Sequence, residues 1–109
     1  PLIFLEKNTS SRSYIDEFLA GNGVYVQPEF ELATSDMIVQ FVRRNLGVGC
    51  VMRDFARDYV ESGLLFELRF NKMIPKRQFC VVRNTKMPMA PAAEKLLEIM
   101  ELDAAAATV

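Results

Sequence analysis

A short apolar run followed by a one-sided helical pattern recurs in succession along this chain. Nothing else in the sequence restricts the fold as strongly. Residues 2–5 form a continuous apolar run, as expected of a strand buried on both faces. Residues 6–11 make a polar turn rich in helix N-cap types. Tyr14, Ile15, Phe18 and Leu19 then share one face of a helix. Gly21, Asn22 and Gly23 close it, because a left-handed helix cap favours Gly or Asn.

The unit then recurs. Phe30 and Leu32, alternating with Glu29, Glu31 and Ala33, read as a strand leaving Pro28. Thr34, Ser35 and Asp36 supply the next cap, and Met37, Ile38, Phe41 and Val42 the next helix face. Asn45 and Gly47 end that helix. Residues 48–52 are a third apolar run, and Phe55, Ala56, Tyr59 and Val60 a third helix ended by Ser62 and Gly63. Residues 64–70 and 78–83 are expected to be the fourth and fifth strands, separated by a loop containing Pro75. Pro88 and Pro91 open a last helix with Ala92, Ala93, Leu96, Leu97 and Met100 on one side.

Strand-helix alternation of this kind predicts an α/β fold: a five-stranded, mostly parallel sheet with helices on both faces. The 50% hydrophobic content fits a sheet covered on both sides. No fixed-period sequence repeat accompanies the recurring units, which argues against a solenoid. A length of 109 residues allows one domain. The chain opens at Pro1, without Met, already inside an apolar run, and is expected to be a piece of something longer. Residues 103–109 are expected to be a frayed tail.

Composition removes several functions. The chain has no His, which excludes Ser-His-Asp and Cys-His catalysis and His-ligated metals. Two Cys, well apart, cannot cage zinc or hold an iron–sulfur cluster, so no metal and no cofactor are expected. Lys and Arg number 13 against 14 Asp and Glu, leaving a net charge of −1 and no electrostatic footprint for a phosphate backbone. No apolar run approaches the roughly 20 residues that span a membrane.

In such sheets ligands bind at the carboxyl ends of strands, where the next helix begins. Two such places are polar: Asn8, Thr9, Ser10 and Ser11, and Thr34 with Ser35. Each sets hydroxyls beside a helix N-terminus, where backbone N–H groups and the helix dipole favour an anion. Opening on one edge, the two turns could grip one small polar or anionic molecule. The plainer reading is ordinary N-capping. Asp36 opposes an anion unless its carboxylate caps its own helix. Cys50 and Cys80 lie inside apolar runs and read as small hydrophobes. Residues 45–49 place Gly after a helix and before a strand, the wrong order for a phosphate-cradling loop.

Three ordered stretches together resemble the effector-binding domain of LysR-type transcriptional regulators. Leu5-Glu6-Lys7-Asn8-Thr9-Ser10-Ser11-Arg12 is similar to the strand, turn and helix that open the family's second subdomain. Ser35-Asp36-Met37 through Asn45-Leu46-Gly47-Val48-Gly49-Cys50-Val51-Met52 resembles its helix, Gly-containing turn and strand. Residues 77–82, then Met89-Ala90-Pro91-Ala92-Ala93 through Leu97, resemble its closing strand and last helix. Asn45 stands where the family usually has Gly, Met52 where it usually has Pro, and Ala90 where it often has Ser. Ser10 stands where peroxide-sensing members carry a reactive Cys, so that chemistry is not expected.

The resemblance implies a lobe like those of type 2 periplasmic binding proteins. It implies an effector-binding subdomain over residues 1–102, with residues 78–102 as a return strand and last helix. It implies no enzyme activity, a small anionic effector, cytoplasmic location, and dimers or tetramers of the full-length protein. It implies that DNA is contacted only through an N-terminal helix-turn-helix missing from this chain. Asn8, Thr9, Ser10, Ser11, Thr34 and Ser35 are the expected ligand-binding residues. Rival readings are a lobe of an extracytoplasmic solute receptor, an α/β enzyme such as a dehydratase on a related fold, and a structural piece without a site. The last helix is expected to pack incompletely or to pair with a second copy.

Overall fold

A computed structural model describes residues 1–78 and 80–107. The chain forms two units, one over Pro1–Lys76 and the other from Arg77 onward. In the first, β1 (Leu2–Leu5), α1 (Ser10–Gly21), β2 (Phe30–Leu32), α2 (Ser35–Arg43), β3 (Val48–Gly49) and α3 (Arg53–Glu61) follow one another. The second carries α4 (Pro91–Ala107).

Both pairings of the sheet are parallel, in the order β2-β1-β3. Ile3 lies opposite Phe30, Leu5 opposite Leu32, and Leu2 opposite Val48. Right-handed crossovers put α1 and α2 on opposite faces, because the chain turns one way after β1 and the other way after β2. Side-chain alternation along β1 obeys this. Phe4 turns to α1 and lies under the Arg12 guanidinium, 5.4 Å from its ring centroid. Ile3 turns to α2, in register with Phe30, whose ring meets Phe41 edge-on at 5.5 Å. Ile3 and Ile38 are fully buried there, each contributing about 1.5–3 kcal/mol by leaving water. Gly49 lets α2 approach: a Cβ on it would stand 2.5 Å from Ile38 Cγ2 and 2.7 Å from Val42 Cγ2.

The expected helix stops all form, and they share one device. The left-handed residue after each helix is Gly23, Asn45 or Gly63, with φ of 74°, 61° and 79°. Each end is then tied by two backbone bonds. Gly23 N–H donates to Ala20 O and Val24 N–H to Leu19 O. Asn45 N–H donates to Val42 O and Leu46 N–H to Phe41 O. Gly63 N–H donates to Val60 O and Leu64 N–H to Tyr59 O. Carbonyls that the helix leaves without partners are satisfied this way.

The strand count is corrected. The sheet has three strands among the described residues, not five. Residues 64–70 and the described part of 78–83 run without ladder partners (Phe79 lies outside the described residues). Strand character is a property of pairing: a segment joins a sheet only where an edge offers matching N–H and C=O groups. The edges here are the three residues of β2 and the two of β3. Phe66 and Val82 accordingly stay 88% and 91% exposed. At the other end, α4 continues into the expected tail as far as Ala107, since successive alanines are the best helix formers. Residues 108 and 109 lie outside the described residues.

Candidate functional site

Parallel pairing brings the carboxyl ends of β1 and β2 together, and the turns after them share that edge. Glu6 N–H extends the ladder by donating to Leu32 O at 3.0 Å. The chain then divides. After β1 it climbs to α1 on one face; after β2 it climbs to α2 on the other. A crevice at the carboxyl end of β1 is where an open parallel sheet takes a ligand. The turn with Asn8, Thr9, Ser10 and Ser11 follows β1 and the turn with Thr34 and Ser35 follows β2, both at that end of the paired strands.

The two threonines act as caps. Thr9 Oγ1 accepts from Arg12 N–H at 3.1 Å and donates to Glu6 O at 3.0 Å. Thr34 Oγ1 accepts from Met37 N–H at 3.2 Å. Both residues are extended, as N-caps are. Ser10 and Ser35 begin the two helices, Ser10 exposed and Ser35 half-buried. Asn8 is exposed in the turn and Ser11 is half-buried in the first turn of α1.

The two helix ends differ electrostatically. Asp36 sits in the first turn of α2, and Thr34, not Asp36, holds the cap. A carboxylate is thus already stationed at the positive end of α2. The first turn of α1 holds no acid, so it is the end suited to an anion.

Arg12 fixes α1 in place, and sequence reasoning did not single it out as a site residue. It is 3% exposed. Its Nη1 donates to Leu5 O at 2.8 Å and to Glu31 Oε2 at 3.4 Å, and its Nε donates to both oxygens of Asp16 at 3.0 Å. One guanidinium therefore ties α1 to the last residue of β1 and to the exposed acid of β2. The i,i+4 spacing of Arg12 and Asp16 was the available signal.

Both cysteines are free thiols. Burial pushes the Cys50 thiol above its ordinary pKa, which disfavours the thiolate, while Cys80 is exposed. Among the described residues no group of His, Cys, Asp and Glu could hold a metal ion, and no helix is long and apolar enough to cross a membrane.

No curated protein and no solved structure matches the chain. A family model does. The LysR substrate binding domain matches residues 1–104, nearly the full length. That family is the non-enzymatic effector domain of transcription regulators, which separates the chain from the dehydratase and solute-receptor readings. The order of strands, caps and helices built here is thus that of a known sensing module, and the chain belongs to the LysR substrate-binding domain family.

Proposed function

We propose that this chain senses a small anionic metabolite at the carboxyl edge of β1 and β2, through Asn8, Thr9, Ser10, Ser11, Thr34 and Ser35. The observation that carries the reading is the pairing of two N-capped helix ends on one edge, of which only the α1 end lacks an acid of its own. A carboxylate there meets N–H groups and a positive dipole end, worth about 0.3–1 kcal/mol per favourable charge at an exposed helix end. The chain performs no chemistry on what it binds.

In the full-length regulator this chain acts as the second, periplasmic-binding-protein-like type 2 lobe. Residues 78–102 supply the return segment to the companion lobe. A helix-turn-helix elsewhere contacts DNA, effector binding changes how cytoplasmic dimers or tetramers sit on the promoter, and the near-neutral charge of this part suits a lobe that touches no phosphate backbone. Leu96, Ile99 and Met100 of α4 are exposed, which supports a role for that helix in association.

The test is an amide NMR titration of the chain with a panel of small carboxylates, acetate, succinate and citrate among them. Saturable shifts centred on residues 8–11 and 34–35 are expected for at least one member. A panel that moves no amide in those turns refutes the reading.

A further inference from the structure

We infer that two copies of this chain pair through residues 66–70, as antiparallel strands related by a two-fold axis at Leu68. The segment reads Phe66-Glu67-Leu68-Arg69-Phe70. Its side-chain chemistry is close to palindromic. An aromatic ring stands at each end and Leu at the centre, with an acid on one side of it and a base on the other.

The backbone of this segment is open. Leu64 N–H and Leu65 N–H both donate to Tyr59 O, which fastens the chain to the end of α3. Beyond them, no hydrogen bond reaches the backbone of residues 66–70 among the described residues. Unpaired N–H and C=O groups, joined to strand-type alternation, are a template for a second chain. The even positions Phe66, Leu68 and Phe70 are all exposed, and the odd positions carry the charges. Arg53 Nη2 reaches Glu67 Oε1 at 2.9 Å, an ion pair with both side chains exposed. Such a pair is worth little and leaves Glu67 in contact with water. Arg69 is exposed and has no ion pair among the described residues.

Charge selects both the occupant and its direction. Antiparallel pairing about Leu68 sets Glu67 opposite the second copy's Arg69, and Arg69 opposite the second copy's Glu67. Phe66 meets Phe70 at each end, and Leu68 meets Leu68. Opposite charges and aromatic pairs at facing positions stabilise a ladder, and like charges oppose it. Parallel pairing in register would set Glu67 on Glu67 and Arg69 on Arg69. An antiparallel slip of one residue would set each charge against an apolar side chain. Only the two-fold register satisfies every position, so one short patch serves both copies, as an isologous interface requires. The pairing uses none of the residues in the strand-end turns.

The test is sedimentation equilibrium of the chain from micromolar to millimolar concentration, where a monomer–dimer equilibrium is expected. Glu67→Arg and Arg69→Glu each put like charges opposite one another at both crossings, and each is expected to weaken the dimer by roughly tenfold. Mixed in equal amounts, the two variants regain opposite charges at both crossings, and their association is expected to match that of the parent. A monomeric parent, variants as dimeric as the parent, or a mixture no tighter than either variant alone would each overturn the pairing. So would a dimer lost in Leu96→Lys but kept in Arg69→Glu, which would place association on α4. None of these results bears on the strand-end reading, which is scored by the amide titration.

Discussion

Arg12 Nε lies 3.0 Å from each carboxylate oxygen of Asp16, one helical turn further along α1. The pair is asymmetric. Arg12 is buried, whereas the Asp16 side chain is 44% exposed. Removing Arg12 strips the Leu5 carbonyl, Glu31 and Phe4 of one shared partner. Arg12→Ala is expected to lower stability by about 2 kcal/mol, through the lost hydrogen bond to Leu5 O and the lost guanidinium contact with Phe4. Asp16→Asn keeps the shape and a hydrogen-bond acceptor, and is expected to cost about 1 kcal/mol because that carboxylate is half in water. Urea unfolding of both variants ranks them; equal midpoints would show that Arg12 is no anchor.

Two glycines make a matched pair. Gly49 faces Ile38 and Val42 at distances no Cβ tolerates, so Gly49→Ala is expected to destabilise by about 1–3 kcal/mol through overpacking. Gly21, the last residue of α1, has nothing within 4 Å of a Cβ built on it. Gly21→Ala is expected to stabilise by roughly 0.5–1 kcal/mol. Opposite signs in thermal unfolding check both.

The caps can be separated from binding. Thr34→Ala is expected to lose about 1 kcal/mol, and Thr34→Ser to recover most of it, because the serine hydroxyl can still accept from Met37 N–H. Thr9→Ala loses a bond to Glu6 O as well and is expected to cost about 1–2 kcal/mol. Denaturant midpoints decide the order.

Titration of Glu29 gives a sign. Its carboxylate accepts from Leu2 N–H at 2.6 Å. That hydrogen bond, foremost among its causes, holds the Glu29 carboxyl below its ordinary value of 4.5. A lowered folded pKa stabilises the fold above the ordinary value, and the contribution fades as pH falls through the lowered one. Stability measured from pH near neutral into the acid range should therefore fall less steeply in Glu29→Gln than in the parent. An unchanged slope refutes the link between Glu29 and the β1 N-terminus.

Thiol labelling at neutral pH separates the cysteines. Burial keeps Cys50 protonated, so it is expected to react much more slowly than exposed Cys80. In strong denaturant the two rates should converge.

What the sequence disclosed and what it hid follow one physical division. Local chemistry was legible. Thr9, Thr34, Asn45 and the Gly that follow α1 and α3 act within one turn of themselves, and each does what its residue type requires. The first two strands were legible because Ile3 belongs to a continuous apolar run and Phe30 to an alternating one. Residues 64–70 look like a strand by composition, yet pairing is decided by an edge elsewhere, and that is not written in the segment. Arg12 was hidden for the same reason. On a helix between two serines it reads as a solvated charge; Phe4 and Glu31, delivered by two strands, bury it. The turns were legible as helix starts, but their meeting on one edge depends on the parallel register of Leu5 with Leu32.

The central place of β1 has a consequence for how the chain reaches this state. Every ladder in the sheet runs through β1, and it leaves the ribosome ahead of both its partners. Ile3 must wait for Phe30, and Leu2 for Val48. Until then a wholly apolar segment has both edges open, with only local helices to shield it. Folding of this kind is slow, because distant contacts must close before any of them is rewarded, and an open apolar edge invites pairing between chains. The segment that organises the finished sheet is thus the one most exposed to error on the way there.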